Sequence, residues 1–395
     1  MKKMKKMLSN LKTPAFFLMV IFILSCNHNP KAKEVKEVKE IEKTSDSTSL
    51  NPVNTFTDDQ ASFIAGMPYN KNECLSKLDS SIKWKHYASD MDKMFSHSTS
   101  LRLEKMKMWA DSELIKNQSI TTVFYPFSGP DFLNAHIFYP DADQYIMIAQ
   151  EPIGSLPDIC NMRPDSVKSY LSKINNSLKD IFKRSYFITK EMNNDLRKTK
   201  VNGTLPLISL FIKRTGHQIV SVERIGVDSL GKVHFTDSLK NKKNIISGIK
   251  VDFLSPSTKK VQSVLYFRTD ISDKGLEKNH GFKIYLTELP HSFSYLKAAS
   301  YLMHADNFRT IRSVIFDISS TILQDDSGIA YKYFDKHNWD IRLYGKYFKP
   351  KEEFSYISEP DLEKAYKSSA YRPLTYSLGY NWRTGHSNLL YAIRK

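Results

Sequence analysis

Cysteine is nearly missing from this chain: only Cys26, Cys74 and Cys160 occur in 395 residues. No histidines stand at ligand spacing around them, so a zinc site is excluded and no metal is expected. Segregated charge is missing too. The formal net charge is +16, yet after the first dozen residues no block of five or more like charges occurs. That excludes a nucleic-acid groove and leaves only diffuse attraction to anionic lipid or glycan. No apolar run reaches the roughly 20 residues needed to cross a hydrocarbon core, which excludes a permanent membrane helix. There is no internal repeat, so repeat architectures drop out. No G-x-S-x-G occurs, so the nucleophile elbow of the α/β-hydrolases is absent.

What is present begins at the N-terminus. Lys2, Lys3, Lys5, Lys6 and Lys12 stand with no acid among them, and residues 14–24 are almost wholly apolar before Ser25 and Cys26. A basic segment followed by a short apolar one predicts a signal peptide over residues 1–25. Ile23, Leu24, Ser25 and Cys26 resemble the lipobox of bacterial lipoproteins. The resemblance implies that Cys26 is lipidated and becomes the mature N-terminus, that a lipid bilayer is the chain's partner through this anchor, and that the protein sits in the cell envelope. In lipoproteins of the Bacteroidota kind, acids soon after the cysteine favour surface display. Here Asn27 follows with no acidic run, so the periplasmic face of the outer membrane is favoured, with surface display as the alternative. Residues 26–57 read as the lipidated cysteine and a flexible tether, charged and poor in aromatics. Such a compartment supplies no ATP, NAD or S-adenosylmethionine, so no cofactor is favoured. It is oxidising, which leaves two readings of Cys74 and Cys160: a disulfide, or two buried thiols.

A hydrophobic fraction of 41% supports a substantial core. Residues 58–118 predict a helical N-terminal layer, from apolar residues recurring at three and four. Residues 119–395 predict an α/β body. Its clearest stretch is residues 120–154, which reads as strand, tight loop, short helix and strand. In sheets of this kind ligands lie at the carboxyl ends of the strands, so residues 125–131 and 150–154 are expected side by side at one rim. Beyond it, helices are predicted at 164–198 and 205–213, and strands at 217–227, 232–235, 248–254, 260–269 and 282–287. Helices at 293–304 and 308–323 follow, then a strand at 341–347, a helix at 361–368 and a hairpin of 374–382 with 388–393. The fold class is α/β, with α+β as the alternative: a mixed sheet on a Rossmann-like βα core.

The βα unit, with Gly129 in its loop and Glu151 ending its second strand, resembles the opening motif of class I S-adenosylmethionine methyltransferases. The resemblance implies a nucleoside at the loop and a ribose diol on Glu151. Two departures stand against it. Gly129 is the only glycine of that loop, and Pro126 and Pro130 remove N–H donors from it. A nucleophile reading of Ser128 with His136 and Asp131 requires His136 to reach back two helical turns. Ser128 is expected instead to cap the helix. A second cluster, Gln324 to Gly328, brings Asp325 and Asp326 to the end of an apolar helix, where the macrodipole disfavours acids. A turn with both acids paired to Lys or Arg is expected. The phrases FYPFSGPDFL and QDDSGI also resemble those of an uncharacterised, Bacteroidota-type lipoprotein family, which implies no activity. The ligand-binding candidates are therefore Ser128, Gly129, Asp131, Glu151, Asp325 and Asp326. The favoured function is a non-catalytic or ligand-binding envelope lipoprotein. The alternative is an enzyme using the strand-end rim, either methyltransferase-like or, if the four carboxylates converge, a hydrolase.

Overall fold

The computed structural model describes residues 54–70, 72–115, 121–184, 203–236, 245–350, 358–381 and 385–395. The signal peptide, Cys26, nearly all of the tether and residues 185–198 of the expected long helix lie outside them. Four helices come first: α1 (Thr55–Ile64), α2 (Glu73–Ile82), α3 (Trp84–Ser98) and α4 (Glu104–Glu113). The first begins at Thr55, inside the stretch expected as tether, because the Asn54 side chain accepts the Thr57 N–H and caps it. Then come β1 (Thr122–Pro126), α5 (Phe132–Phe138), β2 (Gln144–Ala149), α6 (Pro164–Arg184) and α7 (Leu205–Arg214). Four strands follow: β3 (Gln218–Val227), β4 (Val233–Phe235), β5 (Ile246–Leu254) and β6 (Val261–Arg268). The rest is α8 (Asp273–Lys278), α9 (His280–Thr287), β7 (Ser292–Leu296), α10 (Arg309–Ile318), β8 (Ser319–Gln324), β9 (Trp339–Gly345), α11 (Pro360–Ser368) and β10 (Asn388–Arg394).

The ten strands form one mixed sheet in the order β4-β3-β5-β6-β2-β1-β7-β8-β10-β9, so the fold is α/β. Its centre, β6-β2-β1-β7-β8, is parallel throughout. In chain order these are the third, second, first, fourth and fifth parallel strands, the order of a doubly wound sheet that reverses direction between β1 and β7. Antiparallel strands extend both flanks. The central strands β1, β2 and β7 are buried along nearly their whole length because both faces are covered. Alternate residues go to opposite cores: Val123, Tyr125, Tyr145 and Tyr295 pack with α1–α7, whereas Phe124, Ile146, Ile148 and Leu296 pack with α8–α11. A disulfide joins Cys74 of α2 to Cys160 in the 3-10 turn Ile159–Asn161, with Cα atoms 5.7 Å apart. No helix among the described residues is long and apolar enough to cross a membrane.

Four of the expected strands and helices fail, all beyond residue 280. Residues 282–287 belong to helix α9, which buries Phe282 and Leu286 four apart. The expected helix 293–304 is strand β7 followed by a 3-10 helix, Ala298–His304. The expected helix 308–323 stops at Ile318, and β8 occupies the rest. In β7 and β8 the cause is the same: each short strand joins a helical segment with no glycine or proline between them, so nothing marks where one ends and the other begins. Finally, β10 pairs with β8 and β9, not with residues 374–382.

Candidate functional site

The connections after β1 and β7 leave in opposite directions, and the crevice between them opens into a cavity of ≈ 140 Å³. Phe127, Gly129 and Asp131 line it after β1, Glu151 after β2, Thr269 after β6, and Lys297 and Ala298 after β7. Two of these residues hold backbone conformations that side chains resist. Phe127 has φ 60 and Ala298 has φ 55, each in the left-handed region. Such positions cost about 1–3 kcal/mol apiece and gather at ligand sites, where surrounding structure enforces them. Here one stands on each side of the point where the sheet reverses.

Charge enters the crevice from three successive strand ends. Asp131 accepts the Tyr125 hydroxyl at 3.0 Å, the Asn134 amide at 2.9 and 3.0 Å, and the ammonium of Lys297. The Lys297 and Asp131 side chains are 1% and 2% exposed, so this ion pair is fully buried. Burial pulls the Lys297 pKa down while Asp131 pushes back. Arg102, from the turn joining α3 to α4, lies buried nearby and donates to the Ile181 carbonyl at 2.8 Å. Asp325 follows β8. Burial raises its pKa, opposed by hydrogen bonds from Ser327 and by the field of Lys297.

These contacts revise several expectations. The cap of α5 is Asp131, which accepts the Asn134 N–H at 3.3 Å. Ser128 does not cap the helix; its hydroxyl lies 3.0 Å from the Gly129 carbonyl and 3.4 Å from that of Ile148. His136 is no partner for it. The ring is buried against Phe132, Tyr145 and His217, and burial drops its pKa to about 3. The Gln324–Gly328 cluster ends a strand rather than a helix, so no macrodipole opposes its acids. There Gln324 bonds both N–H and carbonyl of Ile329, and a Cβ on Gly328 would stand 2.3 Å from the Gln324 Oε1. Of the four carboxylates, Asp131 and Glu151 line the cavity. Asp325 is linked to it by the field of Lys297 and by the Ala298 backbone, and Asp326 is half-buried outside it with its N–H on Asn388.

Glu151 is buried, and the segment carrying it is fixed along its length. Tyr266 donates to the Glu151 carbonyl at 3.3 Å, and Thr204 and Leu205 donate to Pro152 and Ile153 at 2.9 Å. Gln60 reaches Pro157, and the disulfide holds Cys160. A larger cavity of ≈ 480 Å³ opens at the opposite, amino ends of the strands, beside Thr121, Asp143 and Lys260. The carboxyl ends are where doubly wound sheets bind, which favours the smaller one.

Sequence reasoning missed Lys297, Arg102 and Ala298, and it gave no sign of the left-handed angle of Phe127, a residue it placed at the rim. A charged residue closing the buried run Ser292–Leu296 is the one signal that marks Lys297 as a strand end. It also missed a second acid: Glu359 is pushed up to about 8, by burial first, with its Oε1 3.9 Å from His304 Nε2. Among the described residues no group of three or more His, Cys, Asp or Glu side chains is arranged to hold a metal ion. No protein-family model, curated protein or solved structure matches this chain.

Proposed function

We propose that this is a lipid-anchored protein of the bacterial cell envelope whose Rossmann-like sheet holds a small ligand, without transforming it, where β1 and β7 part. The observation that carries the reading is the cavity at that point with left-handed Phe127 and Ala298 on either side of it. Its size sets the ligand class. An engineered cavity of about 150 Å³ takes benzene, whereas drug-sized ligands need about 300–1,000 Å³. A volume of ≈ 140 Å³ therefore suits a single small ring or a short polar molecule, not a whole nucleoside. The groups at its border argue against catalysis. Asp131 and Lys297 neutralise each other in a buried pair, and separating such a pair costs about 3–5 kcal/mol. Neither stands ready to move a proton.

The methyltransferase-like reading draws on two observations, the doubly wound strand order and the buried Glu151 at the end of β2. The cavity volume and the Asp131–Lys297 pair weigh against it. A thermal-shift screen separates the readings. Small ligands of about six to ten heavy atoms are expected to include one that stabilises the protein saturably, and Ala298→Leu, which fills the cavity, should abolish that shift. A screen without any saturable shift would remove the ligand-binding proposal.

A further inference from the structure

At the end of the sheet opposite the crevice, the cavity of ≈ 480 Å³ lies among the ends of α4 and α5, the turn from β5 to β6 and the start of β7. It is more than three times the volume of the crevice and falls within the range of about 300–1,000 Å³ that small-molecule sites occupy. Its inner wall is apolar. Leu114, Phe138, Tyr139 and Phe293 line it from the core, and the Tyr139 and Phe293 rings stack at 5.0 Å with their planes 11° apart. Its mouth is charged. Asp141 and Asp143 line the cavity and are exposed, and neither carboxylate has a hydrogen bond or ion pair among the described residues. Lys260 also lines it, without pairing to either. Asp111, on the same wall, is held by Lys107 of its own helix at 2.7 Å and plays no part here.

The loop that carries the two free aspartates is fixed by its backbone. Gln262 Nε2 donates to the Pro140 carbonyl at 2.8 Å and to the Ala142 carbonyl at 2.7 Å. The Ser263 N–H donates to the Asp143 carbonyl at 2.8 Å, and the Tyr145 hydroxyl to the Tyr139 carbonyl at 2.6 Å. Two unpaired like charges, two residues apart, are thus held at the mouth of an apolar cleft. Low-dielectric walls focus the field of such charges into the opening and raise the local concentration of the opposite charge.

We propose that this cavity is a second binding site, separate from the crevice, and that it takes an amphipathic organic cation. The apolar body of the ligand packs on Leu114, Phe138, Tyr139 and Phe293, and its ammonium is received by Asp141 and Asp143. The unpaired groups of the mouth are two anions and one cation, so the mouth keeps a net negative charge and disfavours a carboxylate ligand. Because the loop is already fixed, binding requires little further ordering of the protein.

Ligand-detected NMR on the intact protein tests the site. The probes are tryptamine and 4-phenylbutylamine, each beside the carboxylate of the same skeleton. The amines should bind saturably, and the carboxylates at least tenfold more weakly. Asp141→Asn combined with Asp143→Asn should weaken the amines about tenfold, and raised ionic strength should weaken them in the parent. Thr258→Trp, a change at an exposed residue of the lining, should block the opening and abolish binding. Ala298→Leu fills the crevice and should leave amine binding unchanged, so the outcome does not depend on the crevice holding a ligand. Parental unfolding temperatures keep misfolding out of the reading. The absence of any saturable amine signal overturns the proposal. So do carboxylates that bind as tightly as the amines, or amine binding that survives the paired asparagine variant or Thr258→Trp. Loss of amine binding in Ala298→Leu would place the cation in the crevice and would equally overturn it.

Discussion

Two tight turns, one after β1 and one after β8, each bury an aspartate beside the same lysine, and they provide for it differently. Asp131 receives the Lys297 ammonium directly, together with the Tyr125 hydroxyl and the Asn134 amide. Asp325 receives the N–H and hydroxyl of Ser327, while its Oδ2 has no hydrogen-bond partner among the described residues and Lys297 acts on it only through space. One ammonium therefore neutralises one carboxylate. Burial drives the other toward its neutral acid, because a charge without a close counter-ion is penalised in a low-dielectric interior. Buried in the same crevice, two identical side chains meet different surroundings: one has the lysine as its direct partner, and burial pushes the pKa of the other up.

The largest effect should come from breaking the satisfied side. Lys297→Met leaves Asp131 as an uncompensated buried charge, and urea denaturation should record a loss of about 3–5 kcal/mol. Adding Asp131→Asn should recover much of it, since the stranded charge is then gone. A Lys297→Met protein as stable as the parent would mean that the pair is not the anchor of the crevice.

The next effect is a pH dependence, and Glu359 gives it a window. Its pKa is raised from 4.5 to about 8, by burial first, so between those values the folded state keeps a proton that the unfolded chain releases. The unfolded state binds fewer protons there, and stability falls as pH rises from about 4.5 to about 8. Denaturation across that range should show the slope, and Glu359→Gln should remove this share of it. An unaltered slope would show that Glu359 is not the group responsible.

Asp325 carries the same sign. Its raised folded pKa makes stability fall as pH climbs from the ordinary carboxylate value toward the folded one. Asp325→Asn, which resembles the neutral acid, should cost about 1 kcal/mol or less at low pH and should gain on the parent as pH rises. Asp131→Asn alone should cost more than that, because it strands Lys297 as an unpaired buried cation. Equal costs for the two asparagine variants would erase the distinction between the turns. The smallest change is Glu151→Gln, whose effect on stability without ligand should stay within about 1 kcal/mol.

The first half of the site was legible in the sequence and the second half was not. Thr122 to Ala149 could be read because Pro126, Gly129, Pro130 and Pro140 punctuate it, so that strand, helix and strand are separated by residues with strong backbone preferences. That reading brought Gly129, Asp131 and Glu151 to one rim. The stretch from Ser292 to Gln324 has no glycine or proline. Its strands β7 and β8 are short, covered on both faces and joined to helical segments without a break, so no turn residue separates strand from helix. Lys297 falls inside the helix expected over 293–304, whereas it follows the end of β7 and faces Asp131. The left-handed angles of Phe127 and Ala298 had no signal at all, since neither residue type favours that conformation and only the packed loops around them impose it.

The most direct test of the small-ligand account is a titration of the intact protein with S-adenosylmethionine, read by thermal shift beside the Glu151→Gln variant. A crevice of ≈ 140 Å³ closed by the Asp131–Lys297 pair should give no saturable shift in either protein. A saturable shift in the parent that Glu151→Gln abolishes would contradict the account and make the methyltransferase-like reading the better one.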